Sequence, residues 1–417
     1  MTEHLVEQRR RNKSSVLWVG LFAIGGPVTN ALMALLLASR GLLGPFVLLA
    51  SLSLLSGLVG RSGAEKVALK LAADDQLSSA GLKKLKLATA FRTIAFAGAV
   101  ATGYGSSGVT ELGFPTLSWF VAFSVADAER ELTSEAIRGS NRLVAASFSS
   151  RGARSVVQLS LVLGCLSFGR VPTLLDLMII STVSAALPWL LALRVLIPQA
   201  ERTGATPPGR ERRHFLGDPQ LLAPQLLTLA LSSLPVWWGS AILGPVDLDR
   251  VALASRLALL AELPLQAFVN YWSPALARAD VVAAIKSSRR HHLAVFASSA
   301  AVVVMSAAVS GRMIPGSSTL VLIAGAGGLM SSLAGPTGAI LIYHGKEHAL
   351  SRTLLFSMVG LVVAYGTTWT ATSSTALTLI VQATLFYILA QIILSKQVQL
   401  AFGITPLSIL FQRQHVL

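Results

Sequence analysis

The sequence predicts an all-α polytopic membrane protein with about twelve transmembrane helices, and three observations support this prediction. Hydrophobic residues make up 53% of the 417 residues and charged residues only 13%, whereas a soluble domain carries about 25% charged residues. Apolar runs long enough to cross a bilayer recur along the whole chain. Basic residues cluster in alternate loops between these runs, as expected when basic loops stay on the cytoplasmic side.

The N-terminal segment predicts a first span that is retained in the mature protein. An apolar run covers residues 16–39 and follows the basic residues Arg9, Arg10, Arg11 and Lys13. A cleavable signal peptide has an apolar region of only about 7–15 residues. This run is longer, so we expect it to span the membrane with the N-terminus inside.

Further apolar runs predict the remaining spans. In the first half they cover residues 43–60, 87–104, 112–135, 153–169 and 173–197, and in the second half 221–243, 251–276, 293–310, 318–343, 353–369 and 373–394. Among the 34 Lys and Arg residues, those in loops assigned outside are Arg40, Arg170, Arg250 and Arg312. A wrong number of spans would disturb this alternation, so we predict a protein of the cytoplasmic (inner) membrane with both termini in the cytoplasm.

The middle of the chain predicts a division into two lobes. Residues 200–219 contain Pro207-Pro208-Gly209 and several arginines, a composition typical of a flexible connector. Leu43-Gly44-Pro45 follows the first span, and Leu243-Gly244-Pro245 follows the seventh. We therefore predict pseudo-symmetric six-helix lobes at residues 1–199 and 220–417, joined by a cytoplasmic linker and related by an axis along the membrane normal.

Charge and composition argue against several classes of function. The net charge of +15 is distributed among loops, which favours membrane topology and contact with membrane lipids over nucleic-acid binding. The single cysteine, Cys165, lies in an apolar stretch, and no histidine pairs with a carboxylate at metal-ligand spacing. His291, His292, His344 and His348 are predicted to lie in cytoplasmic loops. We expect no metal, no cofactor and no enzymatic activity.

Ionisable and polar groups inside spans are the candidate functional residues, because such groups are costly in a bilayer. At 100° per residue, one face of the eighth span carries Ser255, Glu262, Gln266 and Ser273, with Asn270 beside it and Arg256 flanking it. This face is predicted to line a wet cavity; the alternative is hydrogen bonding to neighbouring helices.

Other spans contribute weaker candidates. Gln225, Thr228 and Ser232 share a face of the seventh span, where such residues also join helices. In the first span Pro27 predicts a kink one turn before Asn30. Arg92 lies within the third span, where it either faces the cavity or reaches the cytoplasmic edge.

Two further clusters have predicted roles. Asp127, Glu129, Arg130 and Glu131 at the inner end of the fourth span predict a charge cluster at the membrane interface. Gly335-Pro336 in the tenth span predicts a break in the helix that serves as a hinge or a close packing contact.

The order of these features resembles the polysaccharide flippases of the multidrug/oligosaccharidyl-lipid/polysaccharide exporter superfamily. The resemblance covers nearly the whole chain and rests on Asn30, Ser39-Arg40, Leu43-Gly44-Pro45, Gly60-Arg61-Ser62-Gly63, Pro224, Ile242-Leu243-Gly244-Pro245, Ala254-Ser255-Arg256-Leu257, Trp272-Ser273-Pro274-Ala275-Leu276 and Gly335-Pro336. The chain departs from that family in the seventh span. There an acidic or amide group is common, but this chain has Pro235-Val236-Trp237-Trp238-Gly239.

The resemblance implies two lobes around a central cavity that work by alternating access. The implied substrate is an oligosaccharide on a polyprenyl pyrophosphate, flipped to the outer leaflet for surface polysaccharide biosynthesis. A coupling ion, H⁺ or Na⁺, and other polysaccharide-assembly proteins are implied partners. Arginines pair well with phosphate, so Arg256 and Arg92 are expected to contact the pyrophosphate. The amides of Asn30, Gln225, Gln266 and Asn270 are expected to contact sugar hydroxyls.

Two alternatives remain open from the sequence. A cation-coupled drug exporter of the same superfamily would use a carboxylate inside the membrane, and only Glu262 lies near a predicted midplane. An integral membrane glycan-processing enzyme would need convergent catalytic groups on a sizeable loop, and the predicted outer loops are short.

Overall fold

A computed structural model describes residues 25–73, 77–106, 113–139, 145–146, 151–202, 219–266, 268–269, 285, 289–370 and 375–403. The regular secondary structure of these residues is helical throughout. Every predicted span falls wholly or partly on a described helix. The prediction of an all-α polytopic membrane protein is therefore confirmed.

In the first half of the chain, the described residues include seven helices of ten residues or more. They are α1 (Gly25–Ala38), α2 (Leu43–Arg61), α3 (Ala64–Ala73), α4 (Ser79–Ser106), α5 (Phe114–Gly139), α6 (Arg151–Ser167) and α7 (Leu174–Arg202). Residues 16–24 of the predicted first span lie outside the described residues, and so does the backbone that would show a kink at Pro27.

The second half also forms seven α-helices and one 3₁₀ segment among the described residues. The helices are α8 (Pro219–Ile242), α9 (Pro245–Ala258), α10 (Arg289–Met313), α11 (Ser317–Ala334), α12 (Thr337–Tyr343), α13 (Glu347–Thr370) and α14 (Ala376–Phe402). The 3₁₀ segment covers Leu259–Glu262 and follows α9 directly.

Several helices are longer than the predicted spans. Helix α4 begins at Ser79, well before the predicted start of the third span, and α10 begins at Arg289. An apolar run marks only the part of a helix that suits lipid, whereas the helix itself continues into polar surroundings. Seven of the described helices are long and apolar enough to cross a membrane by length and composition, and α1 and α6 are shorter apolar helices.

Two predicted spans are interrupted. In the eighth, Pro264 lacks the N–H that would bond to the Leu260 carbonyl, and its ring crowds that carbonyl, so the backbone before it tightens into the 3₁₀ segment. In the tenth, α11 ends at Gly335, whose φ of 76° is readily reached only by glycine. Helix α12 begins after Pro336, so the chain breaks at the predicted position.

By its contacts the chain divides into two compact units. The first unit comprises Met1–Met33 and Leu49–Leu222, and the second Ala34–Leu48 and Ala223–Leu417. These units differ from the predicted lobes mainly in residues 34–48, which pack with the second unit. The repeat symmetry and the linker stay predictions, since most of residues 200–219 lie outside the described residues.

Each unit has its own apolar core. In the first unit α5 packs against α3, α4 and α7, around Ala68, Leu85, Leu132 and Ile137. In the second unit α11 packs against α9, α10 and α14, and α13 also packs against α14. Its core includes Leu341, Leu361, Tyr365, Leu379 and Leu394.

Candidate functional site

The interruption of the eighth span positions Glu262 in the second unit. Glu262 is the last residue of the 3₁₀ segment and is partly buried. The hydroxyl of Tyr387 on α14 donates a hydrogen bond to its Oε1 atom. Tyr387 also hydrogen bonds with the side chains of Ser331 on α11 and Gln391 on α14. The described residues offer Glu262 no cationic partner, so its environment is polar but uncharged.

A second set of polar contacts continues this layer across α10 and α11. The Nε2–H of His292 donates to the carbonyl oxygen of Ser332 at 2.6 Å. The hydroxyls of Ser299 and Ser332 lie 2.8 Å apart, and the Ser332 hydroxyl donates to the Ala261 carbonyl at 3.4 Å. We call Glu262, Ser299, Ser331, Ser332, Tyr387, Gln391 and His292 the polar layer of the second unit.

Glu262 is the only residue of this layer that was predicted from the sequence as a candidate functional residue. His292 was predicted to lie in a loop, but it is buried in α10, because that helix begins at Arg289 and its first turn packs inward. His348 likewise lies in α13. Serine, tyrosine and glutamine are common in apolar helices, so their positions in the sequence do not indicate the polar layer. The one available signal was the position of Ser331 and Ser332 just before the helix break at Gly335-Pro336.

The 3₁₀ segment alters the geometry of the predicted polar face of the eighth span, whose role in lining a cavity stays a prediction. This segment advances by about 120° per residue instead of 100°, so Glu262 is rotated relative to Ser255 on the preceding α-helix. Glu262 points to Tyr387, whereas Gln266 is exposed. Arg256 is partly buried in the last turn of α9 and forms no ion pair with Glu262 among the described residues. Asn270 lies outside the described residues.

The seventh-span candidates make local contacts. Thr228 donates to the Pro224 carbonyl at 2.8 Å and Ser232 to the Leu229 carbonyl at 3.0 Å. These hydroxyls therefore satisfy their own helix, as threonine and serine commonly do. Gln225 is partly buried on the same helix. At the position where the chain departs from the flippases, the Trp238 ring packs 5.8 Å from that of Tyr365.

The first-unit candidates lie on separate helices. Arg92 on α4 is partly buried, and its Nε donates to the Ala88 carbonyl at 3.2 Å. Asn30 on α1 is exposed, while the hydroxyl of its neighbour Thr29 bonds to the Gly25 and Gly26 carbonyls. Pro27 lies in the first described turn of α1.

The charge cluster of α5 is buried within the protein, and its position at the membrane interface stays a prediction. Arg130 is 0% exposed and Asp127 2% exposed. Arg130 donates to Asp127 at 2.9 Å and to Glu131 at 2.7 Å, and Arg154 from α6 donates to Asp127 at 2.6 Å. Helix α5 is covered by its neighbours on several sides, so its inner half faces protein and each charge needs a partner.

The same network extends to α4. Lys86 Nζ lies 3.6 Å from Glu129 Oε2 and 4.8 Å from the centre of the Trp189 ring. The Arg154 guanidinium lies 4.5 Å from the centre of the Phe123 ring. We call the charged residues of these contacts the ion-pair network of the first unit: Lys86, Asp127, Glu129, Arg130, Glu131 and Arg154. Within the described parts of the chain, no group of His, Cys, Asp and Glu is placed to hold a metal ion.

Comparison with known proteins identifies the fold. No family model matches the chain, and no curated protein matches it. Solved structures do match over nearly its whole length. One is a multidrug resistance MATE family transporter of the MOP superfamily in an outward-facing conformation, with a TM-score of 0.64 and 14% identity over 93% of this chain and 95% of that chain.

Two other solved structures extend the comparison. An inward-facing multidrug resistance MATE transporter matches with a TM-score of 0.58 and 15% identity, over 94% of each chain. A MOP superfamily transporter from Pyrococcus furiosus, described as having a binding pocket of reversed polarity that suggests a different function, matches with a TM-score of 0.59 and 14% identity, over 96% of this chain and 97% of that chain. The chain therefore has the fold of the MATE transporters.

Proposed function

We propose that this protein is a transporter that moves a polyprenyl-pyrophosphate-linked oligosaccharide from the cytoplasmic to the outer leaflet of the cytoplasmic membrane. The observation that carries the transporter class is the match, over nearly the whole chain, to MATE structures in both outward-facing and inward-facing conformations. A fold found in two such conformations suits alternating access. The match to transporter structures also argues against a glycan-processing enzyme, one of the two alternatives left open by the sequence.

The choice of substrate rests on the sequence resemblance and on the positions of the arginines. Arg256 and Arg92 are partly buried on helices that belong to predicted spans. Ionisable groups inside spans commonly mark substrate pathways, and guanidinium groups are well suited to bind the oxygens of a pyrophosphate. In this proposal the two arginines bind the pyrophosphate while the polyprenyl tail stays in lipid.

The amide groups have the second role in this proposal. Gln266 and Asn30 are exposed and Gln225 is partly buried, so their amides are free to contact sugar hydroxyls. The break at Gly335-Pro336 adjoins the polar layer, and we propose it as the hinge that bends during transport.

The test of the substrate is a lipid analysis of cells that lack the gene. If the proposal is correct, a completed glycan accumulates on its polyprenyl-pyrophosphate carrier and the surface polymer is lost. A plasmid copy with Arg256→Ala should restore the surface polymer poorly, and Arg92→Ala should do the same. Arg170→Ala, at an exposed arginine, is the matched control and should complement fully.

The results that contradict this function are equally clear. An unchanged lipid pool with intact surface glycan in the deletion strain refutes the flippase proposal. Full complementation by both Arg256→Ala and Arg92→Ala, with the lipid phenotype otherwise as expected, refutes the role of these arginines but leaves the substrate in place.

A cation-coupled small-molecule exporter is the second candidate, because the solved structures that match include multidrug resistance transporters. Glu262 is its candidate coupling residue, since it is a partly buried carboxyl without a cationic partner among the described residues. In proteoliposomes, Glu262→Gln should then abolish H⁺- or Na⁺-driven efflux of a fluorescent cationic drug that the wild type expels. No efflux by the wild type in either gradient excludes this candidate.

A further inference from the structure

Asp249 makes an unusual contact with the start of another helix. This residue lies on α9, before the predicted eighth span, and is 5% exposed. Its Oδ1 atom accepts a hydrogen bond of 2.5 Å from the Gly44 N–H, and the Leu43 N–H also donates to its carboxylate. Leu43 and Gly44 are the first residues of α2. The first N–H groups of a helix lack partners within it and carry partial positive charge, so a carboxylate there is favourable.

The packing around Gly44 shows that this contact requires glycine. A Cβ atom added at Gly44 would lie 2.6 Å from Cγ of Leu248 and 3.1 Å from Oδ1 of Asp249. Real Cβ atoms essentially never come as close as the first of these distances. The backbone of α2 therefore approaches α9 more closely than any larger residue allows, and the hydrogen bond depends on that approach.

The equivalent position of the sequence repeat makes no such contact. Gly244 occupies the same place in Leu243-Gly244-Pro245 as Gly44 does in Leu43-Gly44-Pro45. A Cβ atom at Gly244 would meet nothing within 4 Å, and no side chain caps α9 there. A carboxylate cap is thus not a general need of this turn, and the contact at α2 calls for its own explanation.

The division of α2 between the two units suggests an explanation for the contact between Asp249 and Gly44. Gly44 and Asp249 both belong to the second unit, whereas α2 continues into the first unit from Leu49 onward. One end of the helix is therefore held by the second unit and the rest packs with the first. If the two units move during transport, this end is a point that must be held in one conformation and freed in another.

We propose that Asp249 is a latch: its carboxylate holds the first turn of α2 against α9 in one transport conformation and releases it in the other. The predicted topology places this contact at the outer side of the membrane. The proposal rests on the alternating access of the proposed function but not on its substrate. The population of the unlatched conformation should therefore rise when either the carboxylate or the close approach at Gly44 is removed.

The experiment measures that population without any substrate. Nitroxide labels are attached to Arg170→Cys in the first unit and Arg312→Cys in the second, both at exposed positions, in a Cys165→Ser background. Pulsed electron–electron double resonance in liposomes gives the distribution of distances between the two labels. We expect Asp249→Ala to increase the ratio of the longer-distance to the shorter-distance population by roughly fivefold, as expected when the hydrogen-bond acceptor of the Gly44 and Leu43 N–H groups is removed.

Matched variants separate a latch from general damage. Asp247 lies on the same turn of α9 but pairs with Arg250 and is exposed, so Asp247→Ala should leave the distribution unchanged. Gly44→Ala should shift it as Asp249→Ala does, whereas Gly244→Ala has room for its methyl group and should not. If Asp249→Ala does not fold, Gly44→Ala decides the question.

Each outcome has one meaning. Wild-type distributions for Asp249→Ala and Gly44→Ala overturn the latch, and so does an equal shift in the Asp247→Ala control. The expected shifts together with an unchanged lipid pool in the deletion strain keep the latch and refute only the proposed substrate.

Discussion

The two units treat polar groups inside helices in different ways. In the first unit the acids of α5 lie next to cations: Asp127 contacts Arg130 and Arg154, and Glu129 lies beside Lys86. In the second unit Glu262 contacts the neutral hydroxyl of Tyr387, and Asp249 contacts backbone N–H groups. The backbone differs as well, because α5 is continuous while the 3₁₀ segment and the break at Gly335 adjoin the polar layer.

This difference suggests that the acids of the first unit stabilise the fold, whereas those of the second unit act in transport. A buried acid paired with a cation is held in one geometry, and removing one partner of the pair is strongly destabilising. A carboxyl with neutral partners gains or loses a proton or cation without breaking an ion pair. The first unit is therefore expected to be sensitive in stability, and the second in conformation and transport. The predictions below test that contrast, from the largest expected effect to the smallest.

The largest effect is expected at the centre of the ion-pair network. Asp127→Asn removes the negative charge that Arg130 and Arg154 share, and breaking a buried ion pair by removing one partner costs about 3–5 kcal/mol. Thermal unfolding in detergent micelles should show this loss in the free energy of unfolding. Asp176→Asn is the control, because Asp176 pairs with Arg170, whose side chain is 69% exposed, and such pairs contribute at most about 1 kcal/mol. Equal losses in both variants would contradict a structural role for the network.

The polar layer should respond differently to its two members. Tyr387→Phe removes the donor to Glu262 and is expected to cost about 1–3 kcal/mol, since a buried acceptor is left without a partner. Glu262→Gln keeps an acceptor for Tyr387 and should cost less than about 1 kcal/mol. Thermal unfolding of both single variants and of the double variant gives their interaction energy. A loss for Glu262→Gln as large as that for Asp127→Asn would remove the contrast between the units.

The sequence predicted helices more reliably than the contacts between them. Apolar runs and the alternation of basic loops indicate spans, because the bilayer imposes both locally. The 3₁₀ segment was missed although Pro264 is visible in the sequence, since a proline in a span is tolerated in several ways. The polar face of the eighth span was calculated for a regular α-helix, so it did not include the rotation of Glu262 relative to Ser255 that this segment introduces.

Partners across helices were beyond the reach of the sequence. Tyr387 follows Glu262 by 125 residues and Asp249 follows Gly44 by 205 residues. Only tertiary packing brings such residues together, and nothing in the periodicity of one helix indicates which residue of another it meets. The α5 cluster shows the same limit: its four charged residues are plain in the sequence, but their burial depends on α3, α4 and α7.

The backbone break in the second unit predicts a smaller effect on stability. Gly335 has φ of 76° and ψ of −161°, a conformation essentially restricted to glycine, and an alanine there costs about 1–3 kcal/mol. Gly335→Ala should therefore lower the free energy of unfolding by that amount. Gly338 lies within α12 without a positive φ, so Gly338→Ala is the matched control and should be neutral or slightly stabilising. Loss of complementation by Gly335→Ala beyond its effect on stability would support the hinge; full complementation would argue against it.

The smallest effect concerns the pH dependence of the latch. Burial raises the pKa of Asp249 above the ordinary aspartate value, and the N–H groups of Gly44 and Leu43 oppose this only in part. The charged residues adjacent in the chain are Asp247 and Arg250 on α9, which pair with each other, and Arg40 in the exposed turn before α2. When the latch opens to water, the pKa should fall to its ordinary value of about 4.

The sign of the effect follows from linkage. The latched conformation has the higher pKa and so binds more protons in the pH range between the two pKa values, which begins at about pH 4. Lowering the pH through this range should therefore increase the latched, shorter-distance population. The measurement is the distance distribution between labels at positions 170 and 312 as a function of pH. In Asp249→Asn the distribution should not change over this range; an equal change in that variant would assign the pH dependence to another group and leave Asp249 as a contact of fixed charge.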